Sequence, residues 1–224
     1  MSDYHVRKYK DSDYEAVRTI FVDGMIELIP NATLSVLKNP RIHFLIICMF
    51  LVVLICSKSF LFSVLAIALL LAANWHFIKV EFHSYVNHSL RDDLLDIQKS
   101  YLENDDSCFW VAESNGVVMG MVGAQLRRNN DGEPKIELKR MSVKKCYRKG
   151  GVAKALCRTV LNFARQRGYN AVVLETSQSQ YAAHRLYESM GFKKLYELPL
   201  PTYFGKLINF GIFFYRYDIQ PGVK

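Results

Sequence analysis

The sequence predicts an α/β fold: a mixed sheet with helices on both faces. Three observations predict it. The chain opens on a strand followed by a helix, resumes after residue 80 with a meander of short strands, and closes with helix and strand in alternation. A long apolar stretch interrupts the pattern and predicts an inserted hydrophobic helical hairpin.

Tyr4 to Tyr9 alternates as a strand, and Asp11-Ser-Asp-Tyr-Glu-Ala-Val opens a helix. Asp11 or Ser12 can cap it, with acidic residues in its first turn. The helix runs through Ile20, Phe21, Met25 and Leu28, and Pro30 marks its end. Ile42 to Cys56 is almost wholly apolar, Ser57-Lys58-Ser59 interrupts, and Phe60 to Ile78 resumes. The second half is about 19 residues, near the ~20 that cross a ~30 Å hydrocarbon core. The first, about 15 residues or roughly 22 Å of helix, is short for a span. If the parts before and after belong to one domain, both ends of the apolar region face one side. The insertion is then a membrane hairpin, either two short spans or a re-entrant loop. Residues 1–35 supply the first strand and helix, 36–80 the hairpin, and 81–220 the remainder of the domain. Lys38, Arg41 and Lys79 flank the hairpin, a bias that puts the flanks on the cytoplasmic side.

Leu90 to Leu102 has apolar residues at helical spacing. Cys108 to Glu113 and Val117 to Ala124 read as strands joined by the hairpin signal Ser114-Asn115-Gly116, and Ile136 to Val143 as a third. Gly151 to Arg167 is an amphipathic helix stopped by Gly168, Ala171 to Leu174 a short buried strand, and Gln180 to Met190 a helix stopped by Gly191. Phe192 to Leu198 and Ile208 to Ile219 close the sheet.

The net charge of +8 suits anionic partners, a polyphosphate cofactor or an acidic membrane surface. No base-reading motif points to nucleic acid. The five cysteines are odd in number and two lie in the apolar stretch, so reduced thiols on the cytosolic side are expected, without disulfides. Cysteines and histidines are scattered and predict no metal site.

The most informative segment is Arg148-Lys149-Gly150-Gly151-Val152-Ala153-Lys154, between the strand ending Met141-Ser142-Val143 and the following helix. Glycines there let backbone amides approach an anion at a helix N-terminus. A capped strand–helix connection is the plain alternative. Gly151 is followed by Val152, so this is no Walker loop, and the three spaced glycines of a dinucleotide fingerprint are absent.

That strand and turn, with Ala183-His-Arg-Leu-Tyr187-Glu-Ser-Met-Gly191-Phe192, resemble the Gcn5-related N-acetyltransferases across Glu137 to Phe192. The apolar hairpin, Ser107-Cys-Phe-Trp-Val-Ala-Glu113 and Ala153-Lys-Ala-Leu narrow the resemblance to camello-type, membrane-anchored N-acetyltransferases, a group that includes cysteine S-conjugate N-acetyltransferase. The resemblance implies that family's fold, with a mostly antiparallel sheet, and acetyl-CoA as donor. It implies that the amides from Arg148 to Lys154 hold the pyrophosphate and that the backbone of Met141 to Val143 pairs with the pantetheine arm. Tyr187 falls where the family places the proton donor, and Glu137 where Gcn5-type enzymes place the base. Glu175 is a weaker candidate base. Gln180 replaces the asparagine often found seven residues before the tyrosine, and His184 is expected to be packed or on the surface.

The acceptor follows from the cost of uncharging it. Deprotonating a lysine at pH 7 costs about 4.6 kcal/mol, against roughly 1 for a peptide-type α-amine. The resemblance points to small amino-acid conjugates such as cysteine S-conjugates; protein lysine is the alternative and a non-catalytic membrane scaffold a third. An endoplasmic-reticulum or related membrane is expected, with the catalytic part in the cytosol. The sequons at Asn31 and Asn87 then stay unmodified.

Overall fold

The computed structural model describes residues 4–128, 133–200, 205 and 210–220. Seven strands form one sheet: β1 (His5–Lys8), β2 (Cys108–Ser114), β3 (Val117–Arg128), β4 (Pro134–Val143), β5 (Ala171–Ser177), β6 (Lys193–Pro199) and β7 (Gly211–Asp218), in the order β1-β2-β3-β4-β5-β7-β6. Neighbours pair antiparallel except β4 and β5, which run parallel. The two-residue turn at Asn115 and Gly116, both at positive φ, joins β2 to β3 as its sequence predicts. The expected closing strand from Ile208 begins at Gly211; Ile208 and Asn209 lie outside the described residues.

Helices cover both faces. On one lies α6 (Val152–Gln166), which buries Leu156, Cys157, Val160 and Ala164 against Ile136, Leu138 and Val172. On the other lie α1 (Tyr14–Ile26) and the short α5 (Ile97–Tyr101), with Val17, Ile20, Phe21 and Tyr101 packed on Phe109, Val111 and Met121. The helix α7 (Tyr181–Ser189) follows β5 and contributes Tyr187 to the α6-side core.

Three expectations need correction. Pro30 does not end the first helix: α1 stops at Ile26, and Pro30 lies in the first turn of a new helix, α2 (Ile29–Leu37), where its missing N–H costs nothing. Asp11 and Ser12 give no side-chain cap. Asp13 instead accepts from the Lys10 N–H at 2.9 Å and pairs with Arg7, which also meets Glu113. The segment from Leu90 to Leu102 is not one helix. A turn at Asp92–Leu95 interrupts it, and the Asp96 carboxylate, accepting from the Lys99 N–H at 2.9 Å, starts α5.

The apolar insertion forms two helices, α3 (Pro40–Ser57) and α4 (Phe60–Arg91), turning at Lys58 in the left-handed region. With α3 at 18 residues, it is about 27 Å long. It is longer than its apolar core suggested because Asn39 caps it, accepting from the Arg41 N–H at 3.0 Å, and Pro40 follows in the first turn. At 32 residues, α4 continues well past Ile78, about 48 Å in all. Both are long and apolar enough to cross a membrane, as is the combined helical stretch Asp11–Leu37, which packs in part on the domain. No residue of α3 is buried, and Phe44, Leu51, Ile55, Phe60, Leu61 and Leu69 lie exposed.

Candidate active site

The sheet opens between β4 and β5. The two strands pair only at Ile136–Val172 and Glu137–Val173, so one edge of β4 beyond Glu137 has no strand beside it, while β3 pairs with the other. A bulge in β4 shapes this edge. Met121 stands opposite Ser142 and Gly123 opposite Lys139, which leaves Arg140 and Met141 together facing Val122. Arg140 takes the left-handed conformation, φ 55°.

The extra residue resets which face each side chain joins. Ile136 and Leu138 enter the core under α6, and Glu137 alternates to the opposite face. Arg140 also turns to the α1–α5 face, where Asp93 clasps it through two hydrogen bonds of 2.9 and 2.7 Å. Tyr101 donates to the same carboxylate, and Arg140 donates to the Tyr85 hydroxyl at 2.8 Å and lies over Phe21. Burial alone would raise the Asp93 carboxyl, but the hydrogen bonds and charge of Arg140 outweigh it and hold it below the usual carboxylate range. Beyond the bulge, Ser142 donates to the Ile20 carbonyl at 3.2 Å, and Val143 returns to the α6 core. A Cβ on Gly24 would come within 2.4 Å of the Ser142 hydroxyl, so glycine there lets α1 lie close on β4.

The glycine turn leads from β4 into α6. Gly151 caps the helix at φ 84° and Lys149 is also left-handed, at φ 69°. The Ala155 N–H reaches the Gly151 carbonyl, so the amides of Val152, Ala153 and Lys154 have no acceptor within the helix. Arg148 points elsewhere: its guanidinium donates to the Val143 carbonyl at 3.0 Å and pairs with Glu27. Lys145 also approaches Glu27, at 3.8 Å. The Tyr4 hydroxyl stands beside Gly151.

Tyr187 is buried on the α6 face among Cys157, Phe192 and Tyr215. Burial, with a smaller contribution from Cys157, pushes its phenol well above the ordinary tyrosine range, higher than the unperturbed value that suits a free phenol. It stays a full O–H donor. The Cys157 thiol, pushed up to about 12 by burial, stays protonated too. His184, three residues earlier on α7, is packed rather than available: its ring nitrogens meet the Tyr215 hydroxyl and the Ser177 carbonyl, each at 3.0 Å, and burial lowers its pKa. Gln180 precedes α7, and its side-chain oxygen accepts from Thr176 at 2.6 Å.

Glu137 is half-buried on the other face. Arg127 reaches it at 3.4 Å and Glu175 at 2.5 Å, so the two candidate carboxylates share one guanidinium. Burial pushes the Glu137 carboxyl up, against the pull of Lys139 and Arg127. The structure therefore brings Met141, Val143, Val152, Ala153 and Tyr187 to one core and sets Glu137 across the sheet from them. Sequence reasoning missed Arg127, Arg140, Asp93 and Glu27. The glycine at position 24 inside a helix was the one local signal of a close approach; the ion pairs left none.

The Acetyltransferase (GNAT) family model matches residues 72–192. "Probable N-acetyltransferase camello" of Xenopus laevis is 41% identical over 220 residues, covering 98% of this chain and all of that protein. The chain belongs to this acetyltransferase family. N-acetyltransferase 8F1 of Mus musculus is 43% identical over 195 residues, with 87% of this chain and 88% of that one covered. Among solved structures, a GNAT-family acetyltransferase of Staphylococcus aureus Mu50 superposes with a TM-score of 0.59 at 17% identity, covering 97% of this chain and 100% of that chain. The yncA acetyltransferase of Salmonella typhimurium, solved with its cofactor acetyl-CoA, gives 0.52 at 16%, covering 99% and 96%. Both show the shared fold. The acetyltransferase described here is an N-acetyltransferase with acetyl-CoA as donor. Its residues fit that donor: unpaired helix-start amides behind a left-handed glycine suit a pyrophosphate, and the open edge of β4 suits an amide-bearing arm.

Proposed function

We propose that this acetyltransferase works at a membrane surface, acetylating the amine of small amino-acid conjugates such as cysteine S-conjugates. The observation that carries the membrane reading is the uncovered apolar surface of α3 and of the first half of α4, on one chain with the site. With residues 36–80 in the bilayer, amphiphilic amines with apolar S-substituents concentrate beside the enzyme. The flanking charges favour a cytosol-facing domain on the endoplasmic reticulum or a related membrane. The resemblance to camello-type enzymes supports the substrate class.

In this reading the donor supplies an acetyl group activated as a thioester. The backbone of Met141, Ser142 and Val143 binds its arm. The amides of Arg148, Lys149, Gly150, Gly151, Val152, Ala153 and Lys154 bind its pyrophosphate, and Gln180 borders the site from the start of α7. Ser142 and Arg148 act through their backbones, since their side chains are held by α1 and its C-terminal Glu27. Glu137, as carboxylate, takes a proton from the acceptor ammonium. Tyr187 holds a proton at its hydroxyl for the departing sulfur. Lying on opposite faces of the sheet, the two groups keep the proton acceptor and the proton donor apart. Arg127 and the two glutamates together carry one net negative charge, which attracts a cationic amine.

A screen of the full-length enzyme in lipid nanodiscs tests the acceptor. S-benzylcysteine is expected to be acetylated in preference to histone or membrane-protein lysines. Acetylation of lysines with none of S-benzylcysteine overturns the assignment in favour of a lysine acetyltransferase, and transfer to neither points to the scaffold. For sidedness, Asn31 and Asn87 are exposed. A glycosidase-sensitive mass shift at either would place them in the lumen.

A further inference from the structure

Some cations of this chain are neutralised by acids of the fold. In the catalytic domain Arg7, Arg127, Arg140, Arg148, Lys194 and Arg216 all lie in ion pairs. Around the hairpin they do not. Between residues 28 and 91 the chain carries five Lys or Arg, four of its six histidines and a single acid, Glu81. Among the described residues, Lys38, Arg41 and Lys79 have no ion pair and are exposed.

Helix geometry gathers these residues. Arg41 and His76 are equidistant from the turn at Lys58, and so are Lys38 and Lys79; α3 and α4 pack against each other as an antiparallel pair. Arg41 and His76 therefore stand about 24 Å from the tip of the hairpin, and Lys38 and Lys79 about one turn further out. On α4, His76, Lys79 and His83 recur at three- and four-residue spacing and share one side of the helix. Ile78, Val86 and Ser89 are buried along this part of the same helix, and the stripe lies on the flank beside them, with His76 and Lys79 exposed. Trp75 stands exposed next to it.

We propose that this collar, formed by Lys38, Arg41, His43, His76, Lys79 and His83, binds the headgroup phosphates of anionic phospholipids. The inference rests on the membrane reading of the hairpin. It commits to lipid because the charge adjoins the exposed apolar surface of α3 and α4, with Phe77 and Val80 exposed between the basic residues. Lysine and arginine contribute charge, and each imidazole offers an N–H to a phosphate oxygen. The collar then does more than anchor: it selects the lipid that surrounds the enzyme.

Trp75 is the reporter. The full-length enzyme is reconstituted into neutral phosphatidylcholine vesicles containing a fixed fraction of brominated lipid, either phosphatidylserine or phosphatidylcholine. The signal is the quenching that Trp75→Phe abolishes. Brominated phosphatidylserine is expected to quench as though enriched roughly fivefold over its mole fraction. The triple variant Lys38→Gln, Arg41→Gln, Lys79→Gln should lose that enrichment and keep its quenching by brominated phosphatidylcholine. Equal quenching by both lipids in the unsubstituted enzyme overturns the collar but leaves the hairpin in the bilayer. No quenching by either means the hairpin does not enter, and the membrane reading falls with it. Enrichment that inorganic phosphate, about 10 mM at constant ionic strength, abolishes overturns the lipid in favour of a free anion.

Discussion

The two faces of the sheet at the β4–β5 opening are built from different materials. Under α6 the surroundings are apolar and aromatic: Tyr187 lies among Cys157, Phe192 and Tyr215. Under α1 and α5 they are ionic, with Arg127 between Glu137 and Glu175 and Arg140 between Asp93 and Tyr85. One thin opening can thereby serve two opposite proton transfers. A dry face keeps a phenol protonated. A face with nearby cations lets a half-buried carboxylate still ionise and accept.

Five substitutions test this contrast. The largest effect is expected from Tyr187→Phe, which should lower kcat about 10³-fold. Acetyl-CoA affinity, measured by titration calorimetry, should stay within about twofold, because the hydroxyl acts on the departing sulfur. A fall in affinity to match kcat would return Tyr187 to a packing role.

Asp93→Ala breaks the ionic face without touching the dry one. It leaves Arg140 buried beside no carboxylate, at a cost of about 3 to 5 kcal/mol. The thermal midpoint in detergent should drop by about 10 °C. An unchanged midpoint would mean that water or Tyr85 replaces the clasp.

Glu137→Gln should lower kcat/KM about 10²-fold and remove the acid limb of the pH profile. The sign follows from the chemistry. The base must be ionised, so activity rises with pH through its upward-shifted pKa. Arg127→Gln removes a cation that favours the ionised form, so the limb should move to higher pH. A limb that moves down, or survives Glu137→Gln, assigns it to another group.

The smallest effect is expected from Gly151→Ala. A side chain at φ 84° is strained by about 1 kcal/mol, so KM for acetyl-CoA should rise roughly fivefold with kcat little changed.

Much of this architecture was legible in residue order. The strands β2 and β3 are apolar runs that meet at Asn115-Gly116, whose positive φ values the turn demands. The amphipathic α6 and the glycine before it announce a helix start, and the apolar run announces the hairpin. The misreadings share a cause. Leu90, Leu94, Ile97 and Tyr101 fit a helical period, yet the chain turns at Asp92 so that Asp93 can reach Arg140, 47 positions away. Pro30 looked like a stop because proline tolerates a first turn as readily as it breaks a helix interior. Asp13, Arg7 and Glu113 meet only once β1 pairs with β2.

By itself the sequence determined the periodicities, the glycine turn after β4, the Tyr187 helix and the place of the apolar insertion. Each is a pattern within a few residues, and local sterics and hydrophobic spacing act at that range. Only the tertiary structure decided which face each site residue occupies. The bulge at Arg140 exists only relative to β3, because an extra residue is extra only against a partner strand. From Arg140 on it inverts the alternation, and so it turns Arg140 to Asp93, Ser142 to α1 and Val143 to the core beneath α6.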